Sequence, residues 1–356
     1  MALLLRGSDE SQLQYACELL LSEQPVALPT ETVYGLAGLA RSPKSLARIF
    51  ELKARPQFDP LIVHTLEVGR ISTFAKISDP LVFKVLEKFW PGPLTVLFER
   101  KKEIIPDLCT AGLDEVAVRS PVHPVFRNIL KKIGQELAAP SANRFGHVSP
   151  VVARDCIKEL GPFGLEAVVD GGRSEHGIES TIVRFNSDSK KLEVLRWGAC
   201  DVSKIIETLG AGWQTVDLTV SNQVKNSSLA SPGLVENHYA PRNKKVYACE
   251  SQWNLKEYLQ SQRMGLAETY IVYSFSSMLE KFSDAYKVKV ISRSGSAVEV
   301  AYELFSLVRE IDETEPDNVC KNIVFVMPPE SSSGLNNAIR DRVKRASINK
   351  GIWNHS

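Results

Sequence analysis

No uninterrupted apolar run in the chain reaches ten residues, so no segment of it is expected to cross a bilayer as a helix. A basic start followed by a long apolar stretch is missing too. Asp9, Glu10, Glu18 and Glu23 fall in that region instead, which argues against a secretory leader and for a cytoplasmic protein. Cysteine is sparse. The six residues at 17, 109, 156, 200, 249 and 320 are never closer than 44 positions, which excludes a CxxC pair or a compact metal cluster. Reduced, buried thiols are expected, and Cys17 among Leu13, Ala16, Leu20 and Leu21 has the setting of one. Net charge is almost absent, because 43 Lys and Arg against 42 Asp and Glu leave +1, so no overall basic character argues for nucleic-acid binding. Several catalytic fingerprints are also lacking: GxGxxG after a strand, a GxxxxGKS/T loop, GxSxG and HExxH.

What remains is an ordinary globular composition, 44% hydrophobic and 24% charged, in a chain of 356 residues, long enough for two domains. The first region, residues 1–213, mixes helices and strands. Helical patterns fall at Ser11–Leu21, Ser42–Lys53, 80–89 and about 122–132, and strands at Val26–Pro29, 61–64, 95–99, 115–120 and 180–185. A polar stretch rich in small residues follows, clearest at 219–233, so residues 214–243 read as a linker. Within 244–356 the runs VYAC, TYIVYS, VKVIS and IVFVM alternate with helical stretches around 253–262, 296–310 and 334–347. That pattern predicts a small α/β domain with a largely parallel sheet. The last helix carries Arg340, Arg342, Lys344 and Arg345 against Asp341, which reads as a solvated basic face or as an RNA contact.

Candidate chemistry concentrates in the first region. Thr30 and Thr32 follow an apolar strand, and in extended geometry both hydroxyls point to one side, suited to a small polar substrate. Lys53 and Arg55 close a helix that Pro56 breaks, so both cations can converge on phosphate oxygens. Arg119 ends the strand EVAVR. A buried guanidinium there needs a ligand carboxylate or phosphate, or an acid of the protein such as Asp114. Ser141 and Asn143 sit in the small-residue turn APSAN, Ser180 and Thr181 stand at a strand entrance after a glycine loop, and Arg196 follows the strand-like KLEVL. WPGPLT reads as a rigid corner without a catalytic group. An electropositive, hydroxyl-lined site favours activation of a substrate with a nucleotide over acid–base hydrolysis.

Taken together, PTETVYGL, Lys53-x-Arg55 before Pro60-Leu61, IVH, WPGPLT, AVRSPVHP, APSAN, STI and SPG…HYAP resemble the Sua5/YrdC/YwlC family of threonylcarbamoyl-AMP synthases, in the family's order and over nearly the whole chain. The resemblance implies a YrdC-like twisted α/β catalytic domain around a positively charged cavity, joined to a small Rossmann-like α/β domain of the longer Sua5 branch. It implies an L-threonylcarbamoyladenylate synthase, a nucleotidyltransferase making L-threonylcarbamoyl-AMP and diphosphate from L-threonine, bicarbonate or CO2, and ATP. Mg2+ would travel with the ATP. The product would pass to a partner transferase of the TsaD/Kae1/Qri7 type for t6A formation at tRNA adenosine 37, with no direct tRNA binding needed. By the same resemblance Thr32, His64, Arg119 and Ser180 hold threonine. Lys53, Arg55, Ser141, Asn143, Ser149 and Arg196 surround the nucleotide, and His238 and Tyr239 are linker contacts. No residue is assigned as general base. The chain departs from the family pattern at Asn237 before HYAP, at Trp197 in the motif usually written RPG, and at Phe145. Two other readings share the fold: a carbamoyl-adenylate enzyme of the hydrogenase-maturation type, against which the absence of CxxC counts, and a non-catalytic RNA-binding module.

Overall fold

A computed structural model describes residues 2–77, 79–219, 239, 245–249, 255, 269–273, 287–314, 321–328 and 334–347. They divide into two compact units, one holding 2–145 and 149–219, the other 146–148 and the described residues from 239 onward.

The first unit is built on one large mixed sheet. Its strands are β1 (Leu3–Arg6), β2 (Val26–Leu28), β3 (Gly35–Leu39), β4 (Ile62–His64), β5 (Ala75–Lys76), β6 (Leu94–Arg100), β7 (Glu115–Arg119), β8 (Leu137–Ala138), β9 (Ala167–Asp170), β10 (Thr181–Asn186), β11 (Lys191–Arg196) and β12 (Gln214–Asp217). They run in the spatial order β1-β9-β2-β3-β8-β4-β7-β6-β10-β11-β12, with β5 beside β6. The helices are α1 (Glu10–Leu21), α2 (Pro43–Lys53), α3 (Pro80–Phe89), α4 (Asp107–Thr110), α5 (Pro124–Ile133), α6 (Ala153–Leu160) and α7 (Val202–Leu209).

Local chemistry accounts for the helix ends. Asp9 caps α1 by accepting from the backbone N–H of Ser11 and Gln12, and Asp79 caps α3 through Leu81. Ser42 caps α2 through Ser45, with Pro43 in the first turn, where its missing N–H costs nothing. The apolar stripe of α1 (Leu13, Ala16, Cys17, Leu20) and that of α5 (Phe126, Ile129, Leu130) join β-strand residues Leu28, Ala37, Leu39 and Val169 in one core cluster. Each fully buried leucine there contributes about 1.5–3 kcal/mol.

Several strands escape sequence reading for one reason. β3 is GLAGL, poor in strand-forming residues, yet all five residues are buried. Ala37 and Leu39 join the α1–α5 cluster, while Gly38 meets α2, where a Cβ would lie 2.6 Å from Ser45 Oγ and 2.9 Å from Ile49 Cδ1. Helix–strand contact, not β-propensity, selects glycine here. β12 lies just beyond residue 213 and pairs with β11, so the first sheet extends into the stretch read as linker. Residues 220–238, with Asn237 and His238, and 240–243 of that stretch lie outside the described residues.

In the second unit β13 (Lys245–Cys249), β14 (Thr269–Tyr273), β15 (Lys287–Val290) and β16 (Asn322–Val326) form an all-parallel sheet in the order β13-β16-β14-β15, as the alternating pattern predicts. Cys249, Leu255, Ile271, Val324 and Val326 form its core, beside helices α8 (Ala297–Thr314) and α9 (Gly334–Ala346). Of the helix expected around 253–262, Leu255 alone is described. Of the basic residues of α9, Lys344 is exposed, but Arg340 and Arg342 do not belong to the solvated face expected of them. Arg342 is 1% exposed and Arg340 is buried with Nη1 donating to the Pro328 carbonyl, while Arg345 pairs with Asp341. Side chains turned inward this way lend no support to an RNA-binding face.

The five described cysteines form no disulfide and are buried, in agreement with their reading as reduced, buried thiols. Burial raises Cys17 to about 11 and Cys109 and Cys200 to about 12.

α2 stops because Ala54 adopts a left-handed conformation (φ 48°), letting its own N–H reach Glu51 O and the Arg55 N–H reach Phe50 O. An L-residue there costs about 1–2 kcal/mol, partly offset by glycine's larger chain entropy. Ala54→Gly is therefore expected to stabilise the first unit by about 0.5–1 kcal/mol, raising its thermal midpoint by roughly 2 °C. A scan showing a lower midpoint for the variant would contradict this account of the helix end.

Candidate active site

Pairing register assembles the site. In β4 and β7, which are parallel, His64 stands opposite Arg119; in the antiparallel β6–β7 pair, Arg119 stands opposite Thr95. Thr95 faces Ile182 on β10, and Ile182 faces Arg196 on β11. Residues opposite one another share a sheet face. One line across the sheet thus carries His64, Arg119, Thr95, Ile182 and Arg196. Two residues along, the same face carries Ile62, Ala117 and Leu97, which cluster with Ile182 and Leu195 in an apolar floor.

Hydrogen bonds join the line to its flanking loops. Arg119 donates from Nη1 to Thr32 Oγ1 at 2.7 Å and from Nε to Gly92 O at 3.2 Å, and its Nη2 pairs with Glu31 Oε1 at 2.5 Å. The sequence left Arg119 a choice between a ligand anion and an acid such as Asp114. The protein partner is Glu31, while Asp114 pairs with Lys102. Burial alone would raise the Glu31 carboxyl; the Arg119 charge outweighs it and holds the carboxyl below its usual range. Ser180 Oγ lies 2.7 Å from Thr95 Oγ1 and accepts from Arg196 Nη2 at 3.0 Å, while Arg196 Nε donates to Ser180 O, also at 3.0 Å. Glu31, Thr32 and Arg119 thus form one bonded group and Thr95, Ser180 and Arg196 another, and the register of Arg119 opposite Thr95 sets the two side by side, with His64 alongside. Arg196, read with the nucleotide group, is hydrogen-bonded to Ser180, read with the threonine group.

Thr30 and Thr32 do lie 2.9 Å apart, but not through strand pleating. Residues 31–33 form a bend, and Thr30 Oγ1 donates to Val33 O at 2.7 Å while accepting from the backbone N–H of Thr32. A turn made by a side chain replaces the extended geometry expected.

The remaining nucleotide candidates form two groups. Lys53, 1% exposed, donates from Nζ to the carbonyls of Ser141 (2.6 Å) and Asn143 (2.5 Å), fastening the end of α2 to the APSAN turn. Burial, with the Arg55 charge nearby, holds the ammonium well below the usual lysine range. Arg55 turns to its own loop, donating to the carbonyls of Asp59 (3.1 Å) and Pro60 (2.7 Å) and pairing with Asp59 Oδ2 at 2.8 Å. The expected shared outward fork is replaced by two separately anchored cations. Ser149 donates to Glu179 Oε1 at 2.6 Å, next to Ser180. Asn143 is buried and donates from Nδ2 to Arg144 O. Tyr239, in the second unit, is 2% exposed at φ 71° and stacked on Phe305, with ring centroids 5.4 Å apart.

Glu31, Asp59, Thr95 and Glu179 are the residues that sequence reasoning missed. Each lies inside a stretch already singled out. The usable signal was charge balance, since buried Arg119 and Arg55 each required an acid; Asp59 is written four residues from Arg55, whereas Glu31 is far from Arg119 in the chain and only the fold identifies it. Among the described residues, no group of three or more His, Cys, Asp or Glu side chains is arranged to hold a metal.

Gly198 explains why Arg196 meets Ser180. A Cβ on Gly198 would lie 2.4 Å from Glu179 O, Ser180 C and Thr181 N, which are backbone atoms unable to yield. The next residue, Trp197, donates from Nε1 to Asp217 Oδ2 at 2.8 Å and so ties β11 to β12.

Gly198→Ala is expected to displace Ser180 and reduce activity at least tenfold with a lower thermal midpoint; a fully active variant would contradict the contact. His64 gives a second expectation. Burial and the Arg119 charge push its pKa down to about 3, and Nδ1 donates to Ile62 O at 3.1 Å. Below the unfolded value near 6.5 the unfolded chain binds a proton that the folded one does not. Stability therefore falls as pH drops from about 6.5 toward 3, by up to about 1.4 kcal/mol per pH unit. His64→Gln is expected to flatten this slope in denaturant titrations between pH 7 and pH 5; an unchanged slope would contradict it.

Comparison with known proteins agrees with this geometry. Residues 18–198 match the Sua5/YciO/YrdC family model, described as telomere recombination, and residues 200–347 match the model of the threonylcarbamoyl-AMP synthase C-terminal domain. The threonylcarbamoyl-AMP synthase of Bacillus subtilis is 32% identical over 346 residues, covering 96% of this chain and 94% of its own. That of Pyrococcus abyssi is 29% identical over 348 residues, covering 95% of each chain. The crystal structure of P. abyssi Sua5 complexed with L-threonine is similar at a TM-score of 0.83 and 28% identity, covering 98% of this chain and 97% of the other. With both regions matched and nearly all of each relative covered, the chain belongs to the Sua5/YciO/YrdC family, among the two-domain threonylcarbamoyl-AMP synthases of the Sua5 type.

Proposed function

We propose that the chain condenses L-threonine with bicarbonate or CO2 and ATP to give L-threonylcarbamoyl-AMP and diphosphate, with Thr32, His64, Arg119 and Ser180 holding threonine. The observation that carries this is the buried row of polar side chains that strand register sets on one sheet face, with Arg119 between His64 and Thr95 and with Thr32 and Ser180 bonded to its members. Its chemistry suits a small ligand that has a carboxylate and a hydroxyl. Lys53, Arg55, Ser141, Asn143, Ser149 and Arg196 serve the nucleotide. Mg2+ enters as part of the triphosphate substrate, and the charge of the cations neutralises what it does not.

In the reaction the threonine amine, after losing a proton, attacks the carbon of CO2 to form an N-carboxylate. An oxygen of that carboxylate attacks the α-phosphorus, the bond to the β-phosphate oxygen breaks, and diphosphate leaves; with bicarbonate as donor, water is also released. Holding two reactants in fixed relation supplies much of such a rate. Arg196 touches Ser180 yet is assigned to the nucleotide, so it stands where the new carboxylate and the α-phosphate must meet, a position suited to spreading charge in the transition state. The product would serve t6A formation through a transferase of the TsaD/Kae1/Qri7 type in the cytoplasm.

The test is acyl-adenylate formation from ATP and bicarbonate with each of several amino acids. Threonine is expected to be strongly preferred over valine, since a site built around a hydroxyl is left unpaired by an analogue lacking it, and serine is the expected weak competitor because one methyl is worth only about 1–3 kcal/mol. Equal product from valine, or product without any bicarbonate or CO2, would overturn the reading. Arg55→Ala is expected to raise the KM for ATP by about ten- to a hundredfold, from loss of a charge-assisted contact worth about 1.5–3 kcal/mol. Arg55→Lys would also be impaired, because a point charge cannot replace the guanidinium fork. Unchanged ATP kinetics in both variants would remove Arg55 from the nucleotide group.

A further inference from the structure

Glu31 is a buried carboxylate placed directly against the cation assigned to the threonine carboxylate. It is 2% exposed, Arg119 is 3% exposed, and the two pair at 2.5 Å. Its other oxygen, Oε2, accepts the Val122 N–H at 3.2 Å, and its backbone carbonyl accepts the His176 N–H at 2.8 Å. The carboxylate is thus held between two loops. The three imidazoles nearby add no charge at neutral pH. His64 is pushed down to about 3, and burial holds His123 and His176 below their ordinary value. For His123 the hydrogen bonds agree: Nδ1 accepts the Val125 N–H and Nε2 faces Gly171 O. The charges next to the imidazoles are therefore those of the Arg119–Glu31 pair, with the Arg196 guanidinium beyond Ser180.

We propose that Glu31 is a specificity-determining residue that makes the Arg119 site select a zwitterionic amino acid over an anion with the same carboxylate and hydroxyl but no ammonium. The proposal rests on the reading that Arg119 receives the threonine carboxylate. A carboxylate drawn to Arg119 also approaches Glu31, and in a weakly screened interior that repulsion cancels much of the attraction. An ammonium carried one carbon away reverses the second interaction and restores the balance. A polyphosphate has no such relief, so the same carboxylate keeps the triphosphate and diphosphate off Arg119 and on the other cations. Selection of this kind works partly by excluding the wrong ligand.

The experiment is calorimetric binding without ATP, using L-threonine and (R)-3-hydroxybutyrate, which is threonine without its amine, against the unaltered chain, Glu31→Gln and Glu31→Asp. The unaltered chain is expected to prefer threonine by about a hundredfold or more. In Glu31→Gln, threonine is expected to weaken and 3-hydroxybutyrate to tighten, each by about tenfold, so that the preference nearly disappears. Glu31→Asp, which keeps the charge, is expected to keep the preference even if both ligands bind less well. Equal weakening of both ligands in Glu31→Gln would mean a purely structural role and overturn the proposal. Should Glu31→Gln not fold, the unaltered chain still decides, because 3-hydroxybutyrate binding within about tenfold of threonine would overturn it. If the unaltered chain binds no threonine, the threonine site itself is wrong and this proposal falls with it. Threonine binding with an unchanged preference in Glu31→Gln leaves that site intact and removes the role of Glu31 alone.

Discussion

A guanidinium buried at the end of an interior strand is tolerable only if its charge is balanced and its N–H groups are taken, and the candidate site is organised around meeting that demand at Arg119. Glu31 supplies the charge, Thr32 a hydroxyl and Gly92 a carbonyl. These three residues come from two different loops, so satisfying one side chain fixes both loops on the end of β7. The bend at 31–33 and the WPGPLT corner acquire their shape from the same requirement.

Carbonyl groups do comparable service for the other buried cations. Lys53 is held by the carbonyls of Ser141 and Asn143, and Arg55 by those of Asp59 and Pro60. Arg100, at the far end of β6, is bound in the same manner by Leu113 O and Ile105 O and by Asp107, with no hydroxyl line beside it. A buried, carbonyl-bound arginine is therefore not by itself a functional sign. What distinguishes Arg119 is its neighbourhood: His64 and Thr95 opposite it in register, Ser180 one hydrogen bond further, and Arg196 beyond.

The elements that sequence reading recovered are those whose pattern is local. The amphipathic stripes of α1 and α5, the serine and proline that open α2, and the β-branched runs of the second unit all follow from residues close together in the chain. β3 and β9 escaped because their residues were selected by partners distant in sequence. Gly38 has no side chain because α2 occupies its face, and β9 is inserted between β1 and β2, which precede it by well over a hundred residues. The basic face expected on α9 failed for a related reason: a row of arginines has the same spacing whether water or a carbonyl such as that of Pro328 receives it.

Sequence alone determined the inventory of the site, because hydroxyls, cations and helix-breaking residues are written in compact motifs with definite chemistry: Thr32, Lys53, Arg55, Arg119, Ser141, Ser180 and Arg196 were all legible there. Tertiary structure decided which of them act together. Arg196 joined Ser180 because Gly198 admits the Ser180 backbone at a distance no Cβ would allow. Thr95 became the bridge between Arg119 and Ser180 through the register of β6 with β7 and β10. Glu31 became the partner of Arg119 because the bend after β2 brings it to the end of β7. Such pairings depend on contacts between residues far apart in the chain, and the free energy of burying a charge, not the order of the letters, selects them.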